Sequence, residues 1–164
     1  MKHLLIMRHA KSSWDNPDYS DHDRPLNARG KRDAPRMGTF LKEQGLCPDF
    51  ILCSSAKRAK QTAKAVAKAA GFSGEILYSQ DLYLATTDDY VRTCQALPDG
   101  VARVLVVAHN PGSEEVVRHL TGNLETMPTA AVAELALPLE DWKSLSHETR
   151  GTLRHVWRPK ELED

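Results

Sequence analysis

Short apolar runs alternate with longer stretches of helical periodicity along this chain, and that alternation restricts the fold more than any other feature. The runs fall at 4–7, 50–53, 76–78 and 104–108, with two more near 131–137 and 153–157. Strands interleaved with helices predict an α/β domain, a three-layer α/β/α sandwich around a mainly parallel sheet of about six strands. A helix over 59–70 puts Ala59, Ala63, Val66, Ala67 and Ala70 on one face and Lys60, Lys64 and Lys68 toward solvent. Its small residues allow close approach to the sheet. A second helix over 28–43 turns Ala34, Met37, Phe40 and Leu41 inward, with Pro35 kinking it or opening its main segment and Gly45 at its C-cap. After the run at 104–108, Asn110 and Pro111 have the chemistry of an N-cap and a first helical position, and Gly122 marks the end of that helix.

At 164 residues and 18.3 kDa, one domain over 1–164 is expected, with the acidic tail 161–164 frayed. Equal numbers of basic and acidic residues, 22 of each, give no net charge, so the global basic excess of a nucleic-acid or membrane-surface binder is missing. No apolar run approaches the roughly 18 residues of a membrane span, and the few apolar residues before Arg8 are too short for a signal-peptide core. A cytoplasmic location is the expectation. Cys47, Cys53 and Cys94 are an odd set without CxxC spacing, so reduced thiols are expected rather than disulfides or a zinc site. The stretch from Cys53 to Arg58 is one residue too short for a thiolate phosphatase loop and has no glycines, which argues against a cysteine nucleophile.

In an open parallel α/β sheet, ligands bind beyond the carboxyl ends of the strands. Arg8 and His9 follow the first run, Ser54, Ser55 and then Arg58 the second, and His109 and Asn110 the fourth. Two imidazoles and two guanidiniums delivered to one edge, with no metal-ligand cluster and no cofactor motif, describe a pocket for a phosphoryl dianion with a nitrogen nucleophile. Fixed donors stabilise the charge that spreads over three phosphoryl oxygens in the transition state. Arginine grips two oxygens at once and keeps its charge, while neighbouring cations keep an imidazole neutral and its lone pair available. Taken singly, each residue is ordinary, and Arg58 alone reads as a surface cation on a solvated helix face. His3, His119, His147 and His155 lack such placement and read as structural or exposed. Trp14 and Tyr19, in the polar loop 12–24, are candidates for a partner surface.

The stretch from Arg8 to Asp15 resembles the Arg-His-Gly signature of the histidine phosphatase superfamily, which includes phosphoglycerate mutases. Ser54, Arg58, Ala59, Thr62 and Ala63 resemble its second arginine motif, and His109 its second histidine. The motifs at 24–27 and 109–112 are most similar to those of SixA-type phosphohistidine phosphatases. The resemblance implies a phosphoglycerate mutase-like fold in which His9 attacks phosphorus and Arg8, Arg58 and His109 hold the phosphoryl oxygens. It also implies a phosphate contact from Arg24 and a hydrogen bond from Ser12. For Arg24 the alternative is a turn-stabilising pair with Asp21 or Asp23.

Three departures bear on activity. Ala10 stands where the family has glycine, so a positive φ there would strain the turn. Asp15 stands where relatives often have asparagine. Asp81, Asp88 and Asp89 follow the third run without a clear match to the acid that protonates the leaving oxygen in larger relatives, so the general acid is unassigned. A protonated phosphohistidine releases neutral imidazole without such an acid. The expected function is therefore a metal-independent phosphatase in signal transduction, with a histidine-phosphorylated protein as substrate. The alternatives are a phosphomonoesterase of the same superfamily and a non-catalytic phosphoprotein-binding module.

Overall fold

The structure is a computed structural model that describes residues 1–162. Six strands, β1 (Lys2–Arg8), β2 (Phe50–Ser54), β3 (Ile76–Ser79), β4 (Arg103–Ala108), β5 (Val132–Leu137) and β6 (Thr152–Trp157), form one sheet in the order β3-β2-β4-β1-β5-β6. The first four run parallel, while β5 is antiparallel to β1 and β6 antiparallel to β5. The helices are α1 (Ala28–Glu43), α2 (Lys57–Ala70), α3 (Thr87–Gln95) and α4 (Gly112–Thr121).

Successive side chains on a strand point to opposite faces, and here both faces are covered. Leu4, Ile6, Leu52, Val104 and Val106 pack with Tyr90 and Val91 of α3 and Val116, Val117 and Leu120 of α4. Leu5, Met7, Ile51, Cys53, Leu105 and Val107 pack with Ala34 and Met37 of α1 and Ala59, Ala63 and Val66 of α2. This is the expected three-layer sandwich, and all six strands fall where the apolar runs placed them.

The helix boundaries add detail and two corrections. Asn27 caps α1 by accepting from the Gly30 N–H at 2.9 Å, so Pro35 lies within the helix and does not open it. Gln44 is the C-cap; Gly45 follows it at φ 71, and the Leu46 N–H reaches back to the Leu41 carbonyl at 2.8 Å. Asn110 is not the N-cap of α4. Pro111 takes that position, and the Asn110 side-chain amide instead donates to Glu114 Oε2 at 2.8 Å and to the Met127 carbonyl at 3.0 Å. Helix α3, which buries Tyr90, Val91 and Cys94, begins at a Thr86/Asp89 capping box. In the tail expected to fray, Glu161 closes a 3-10 turn and Leu162 packs against the core, while 163–164 lie outside the described residues.

Helices α1 and α2 meet through small residues. A Cβ on Gly38 would lie 2.5 Å from the Val66 carbonyl oxygen and 2.9 Å from Ala69 Cβ. Gly38→Ala gains about 1 kcal/mol of helix propensity but forces two packed backbones apart, at a cost of about 1–3 kcal/mol. Net destabilisation is expected in urea unfolding; unchanged or increased stability would show that the helices are not packed this closely.

Candidate active site

Strand register builds the centre. Arg8 lies opposite Ala108 in the parallel β1/β4 pair, so the residues that follow them, His9 and His109, leave the sheet side by side. The His9 N–H donates to the Ala108 carbonyl at 2.9 Å, and the two imidazole centroids are 5.0 Å apart. Both rings are buried, with exposures of 6% and 8%.

The His9 ring has a defined tautomer. Its Nδ1 lies 2.7 Å from the Ala10 carbonyl oxygen, which can only accept, so Nδ1 carries the hydrogen and the neutral ring keeps its lone pair on Nε2. Burial, reinforced by Arg58, Arg8 and Arg24 and opposed by the Ala10 hydrogen bond, lowers the His9 pKa to about 4. Burial, with His9 and Arg58 next in weight, lowers that of His109 to about 3. The His109 Nε2 is 2.7 Å from Ser54 Oγ, and its Nδ1 is buried without a protein partner.

Arg58 is not the solvated cation that its helix suggests. It is 5% exposed, with Nε directed at His9 Nε2 at 3.4 Å, Nη1 on the Asp21 carbonyl at 2.6 Å and Nη2 on Asp21 Oδ2 at 3.0 Å. Asp21 also accepts from Arg24 Nη2 at 3.1 Å and from the Tyr83 hydroxyl. The Tyr83 bond and the two arginines hold the Asp21 carboxyl at about 2, against the opposing effect of burial. Arg24 is braced on three sides: it pairs with Asp21, donates through Nη1 to Ser12 Oγ at 2.8 Å, and stacks on the Trp14 ring at 3.4 Å. The turn-stabilising pair weighed from sequence is therefore present, and it joins Ser12 and Arg24 to the site through Asp21.

Thr62 ties the turn after β1 to α2. Its hydroxyl accepts from the Ala10 N–H at 3.0 Å and donates to the Arg58 carbonyl at 2.7 Å. Ala10 has no positive φ; among the described non-glycine residues that conformation belongs to Ala130 (φ 65), whose N–H bridges the Arg8 and His9 carbonyls at 3.1 and 3.0 Å. A left-handed alanine costs about 1–2 kcal/mol, so the strain anticipated at Ala10 sits across the turn instead. Asp15 is exposed in its loop. Cys53 points into the core, where burial pushes its thiol pKa up, and it cannot act as a thiolate nucleophile.

Arg58, His109, Asp21 and Tyr83 line a cleft of about 430 Å³, together with Gly112 and Glu115. Arg8, whose Nη1 donates to the Met127 carbonyl at 3.2 Å, lines a separate cleft. None of the three carboxylates considered as a general acid is among the residues lining the Arg58 cleft. Asp81 lines a different groove with Arg92, Asp88 pairs with His147, and Asp89 caps α3. Sequence reasoning passed over Tyr83 and His22, whose Nε2 lies 2.8 Å from Ser55 Oγ, and met Asp21 only as a turn partner. The signal for Asp21 was its spacing, three residues before Arg24; Tyr83 had none. Among the described residues, no group of three or more His, Cys, Asp or Glu is placed to hold a metal ion, and no helix is long and apolar enough to cross a membrane.

A depressed imidazole pKa means that the unfolded chain binds the proton more tightly than the folded one, so stability falls as pH drops from 6.5 toward 4. NMR titration of the His9 ring is expected to show a neutral imidazole at pH 5 and a midpoint near 4. A midpoint near 6.5 would contradict the buried, cation-flanked geometry.

Residues 4–82 match the model of the histidine phosphatase superfamily (branch 1). An uncharacterized protein of Mycobacterium tuberculosis, Rv1276c, is 37% identical over 129 residues, 78% of this chain and 77% of that protein. An uncharacterized chloroplastic protein of Arabidopsis thaliana, At3g52155, is 30% identical over 152 residues, 87% of this chain and 69% of its own length. Among solved structures, the protein histidine phosphatase SixA complexed with tungstate superposes with a TM-score of 0.85 at 28% identity, covering 98% of this chain and 99% of that one. The paired histidines at adjacent strand ends, the arginine at the start of α2 and these similarities lead to one assignment: the chain belongs to the histidine phosphatase superfamily.

Proposed function

We propose that this chain is a phosphatase that works through a phosphoenzyme on His9 and dephosphorylates phosphohistidine on a protein. The His9 Nε2 lone pair attacks phosphorus, and the P–N bond of the substrate breaks. A substrate imidazole protonated on its other nitrogen departs neutral. Water then attacks the phosphohistidine, the electron pair returns to Nε2, and dihydrogen phosphate leaves with the enzyme imidazole neutral again. Arg8, Arg58 and His109 stabilise the phosphoryl oxygens, and Asp21 positions Arg58. Arg24 and Ser12 support that position from behind. None of these steps calls on a metal ion or a cofactor.

The observation that carries the substrate reading is Asp21. It is a carboxylate in the Arg58 cleft, and with a pKa of about 2 it holds no proton to donate near neutral pH. An alkoxide leaving group needs that proton; a protonated imidazole does not. The similarity to a solved protein histidine phosphatase over nearly the whole chain supports the same class. The second reading, a phosphomonoesterase, rests on Glu115, an exposed carboxylate in the same cleft.

Phosphate release from a histidine-phosphorylated carrier protein, with a metal chelator present, separates the readings when a phosphoserine protein and an aryl phosphate are run beside it. Preferential release from phosphohistidine, abolished in His9→Ala, is expected. Comparable turnover of the esters would favour the phosphomonoesterase, and binding without turnover would favour a phosphoprotein-binding module. Arg58→Ala is expected to lower kcat by roughly 10²–10³-fold in the same assay, the loss typical of one oxyanion donor. Wild-type kcat in that variant would remove Arg58 from the mechanism.

A further inference from the structure

We propose that the separate cleft lined by Arg8 is a docking site for an acidic segment of the protein substrate; the proposal rests on the phosphohistidine-protein reading above. This cleft, of about 400 Å³, is lined by Arg8, Lys11, Arg29, Arg158 and Lys160, with Glu161 as its one carboxylate. The chain as a whole has no net charge, so this is a local concentration of positive charge. The Arg58 cleft has the opposite balance, with Asp21 and Glu115 against one arginine. A substrate that presents its protonated imidazole ring to the second cleft, its phosphoryl group to the arginines and carboxylates over the first matches both.

The cations come from the end of β1, the loop after it, α1 and the segment after β6. Arg29 is shared with Asp33 at 3.5 Å, and Arg158 with Glu125 at 3.1 Å. Lys11 and Lys160 are exposed and, among the described residues, form no ion pair. Pro128 and Pro159, also in the lining, have no N–H to offer. Spread, hydrated ammonium groups suit several carboxylates on a polypeptide, which they attract from a distance and align at the rim. Arg8 precedes His9 directly, so a segment docked here belongs to the molecule whose phosphoryl group is being transferred.

The test is a Lys11→Glu/Lys160→Glu double variant, assayed on a histidine-phosphorylated carrier protein and on N-phosphoimidazole. For the carrier protein, kcat/KM is expected to fall by roughly tenfold or more through KM, with kcat retained and a shallower dependence on salt. For N-phosphoimidazole, both constants are expected to stay within about twofold of wild type, which also reports that the variant folds. Equal loss on both substrates, or no loss on either, would overturn the docking site. If the wild-type enzyme itself turned over N-phosphoimidazole but not the carrier protein, docking would be overturned and the phosphatase chemistry would stand. Turnover of neither would overturn the phosphohistidine reading and the docking site with it.

Discussion

The hydrogen bond from His9 Nδ1 to the Ala10 carbonyl is the interaction on which the rest of the site depends. It leaves the lone pair on Nε2 and aims that nitrogen toward the Arg58 guanidinium. The bond needs the Ala10 backbone held still, and two contacts do this from either side. Thr62 receives the Ala10 N–H, and the Ala130 N–H bridges the carbonyls of Arg8 and His9. The left-handed conformation of Ala130 costs stability to fix a turn that the central strands alone would leave open.

Around that ring the charges are arranged as a compensated set. Arg8, Arg24 and Arg58 all disfavour a proton on His9, yet three bare guanidiniums this close would repel one another. Asp21 resolves the conflict by accepting from two of them, and Tyr83 completes its hydrogen bonds. Its own ionisation follows from the same contacts, so one residue both orders the arginines and is removed as a proton donor. This arrangement underlies the proposal of a leaving group that carries its own proton.

Much of this was legible in the sequence because strand ends are. Four apolar runs located four parallel strands, and the residues just after three of them were the histidines and arginines that the β1/β4 register brings together. What stayed hidden was tertiary. Tyr83 lies 62 residues from Asp21 and no local spacing links them. The burial of Arg58 could not be read from a helix whose neighbours Lys57 and Lys64 are solvated. Asn110 misled for a related reason: its side chain has the chemistry of a cap, but Glu114 and the Met127 carbonyl hold its amide NH2, and the Oδ1 that a cap would use has no partner. Helix α3 was missed because its nine residues carry only three buried apolar positions, Tyr90, Val91 and Cys94, too short a stretch for periodicity to stand out.

The central claim is that phosphorus is transferred to a specific nitrogen of a specific ring. Mixing enzyme with a histidine-phosphorylated protein, quenching in alkali on the millisecond scale and mapping the phosphopeptide by mass spectrometry, with the phosphohistidine isomer resolved, tests it directly. The account predicts phosphate on His9, bonded to Nε2. Phosphate on Nδ1 of His9, on His109, or on no enzyme residue at any time during turnover would contradict it.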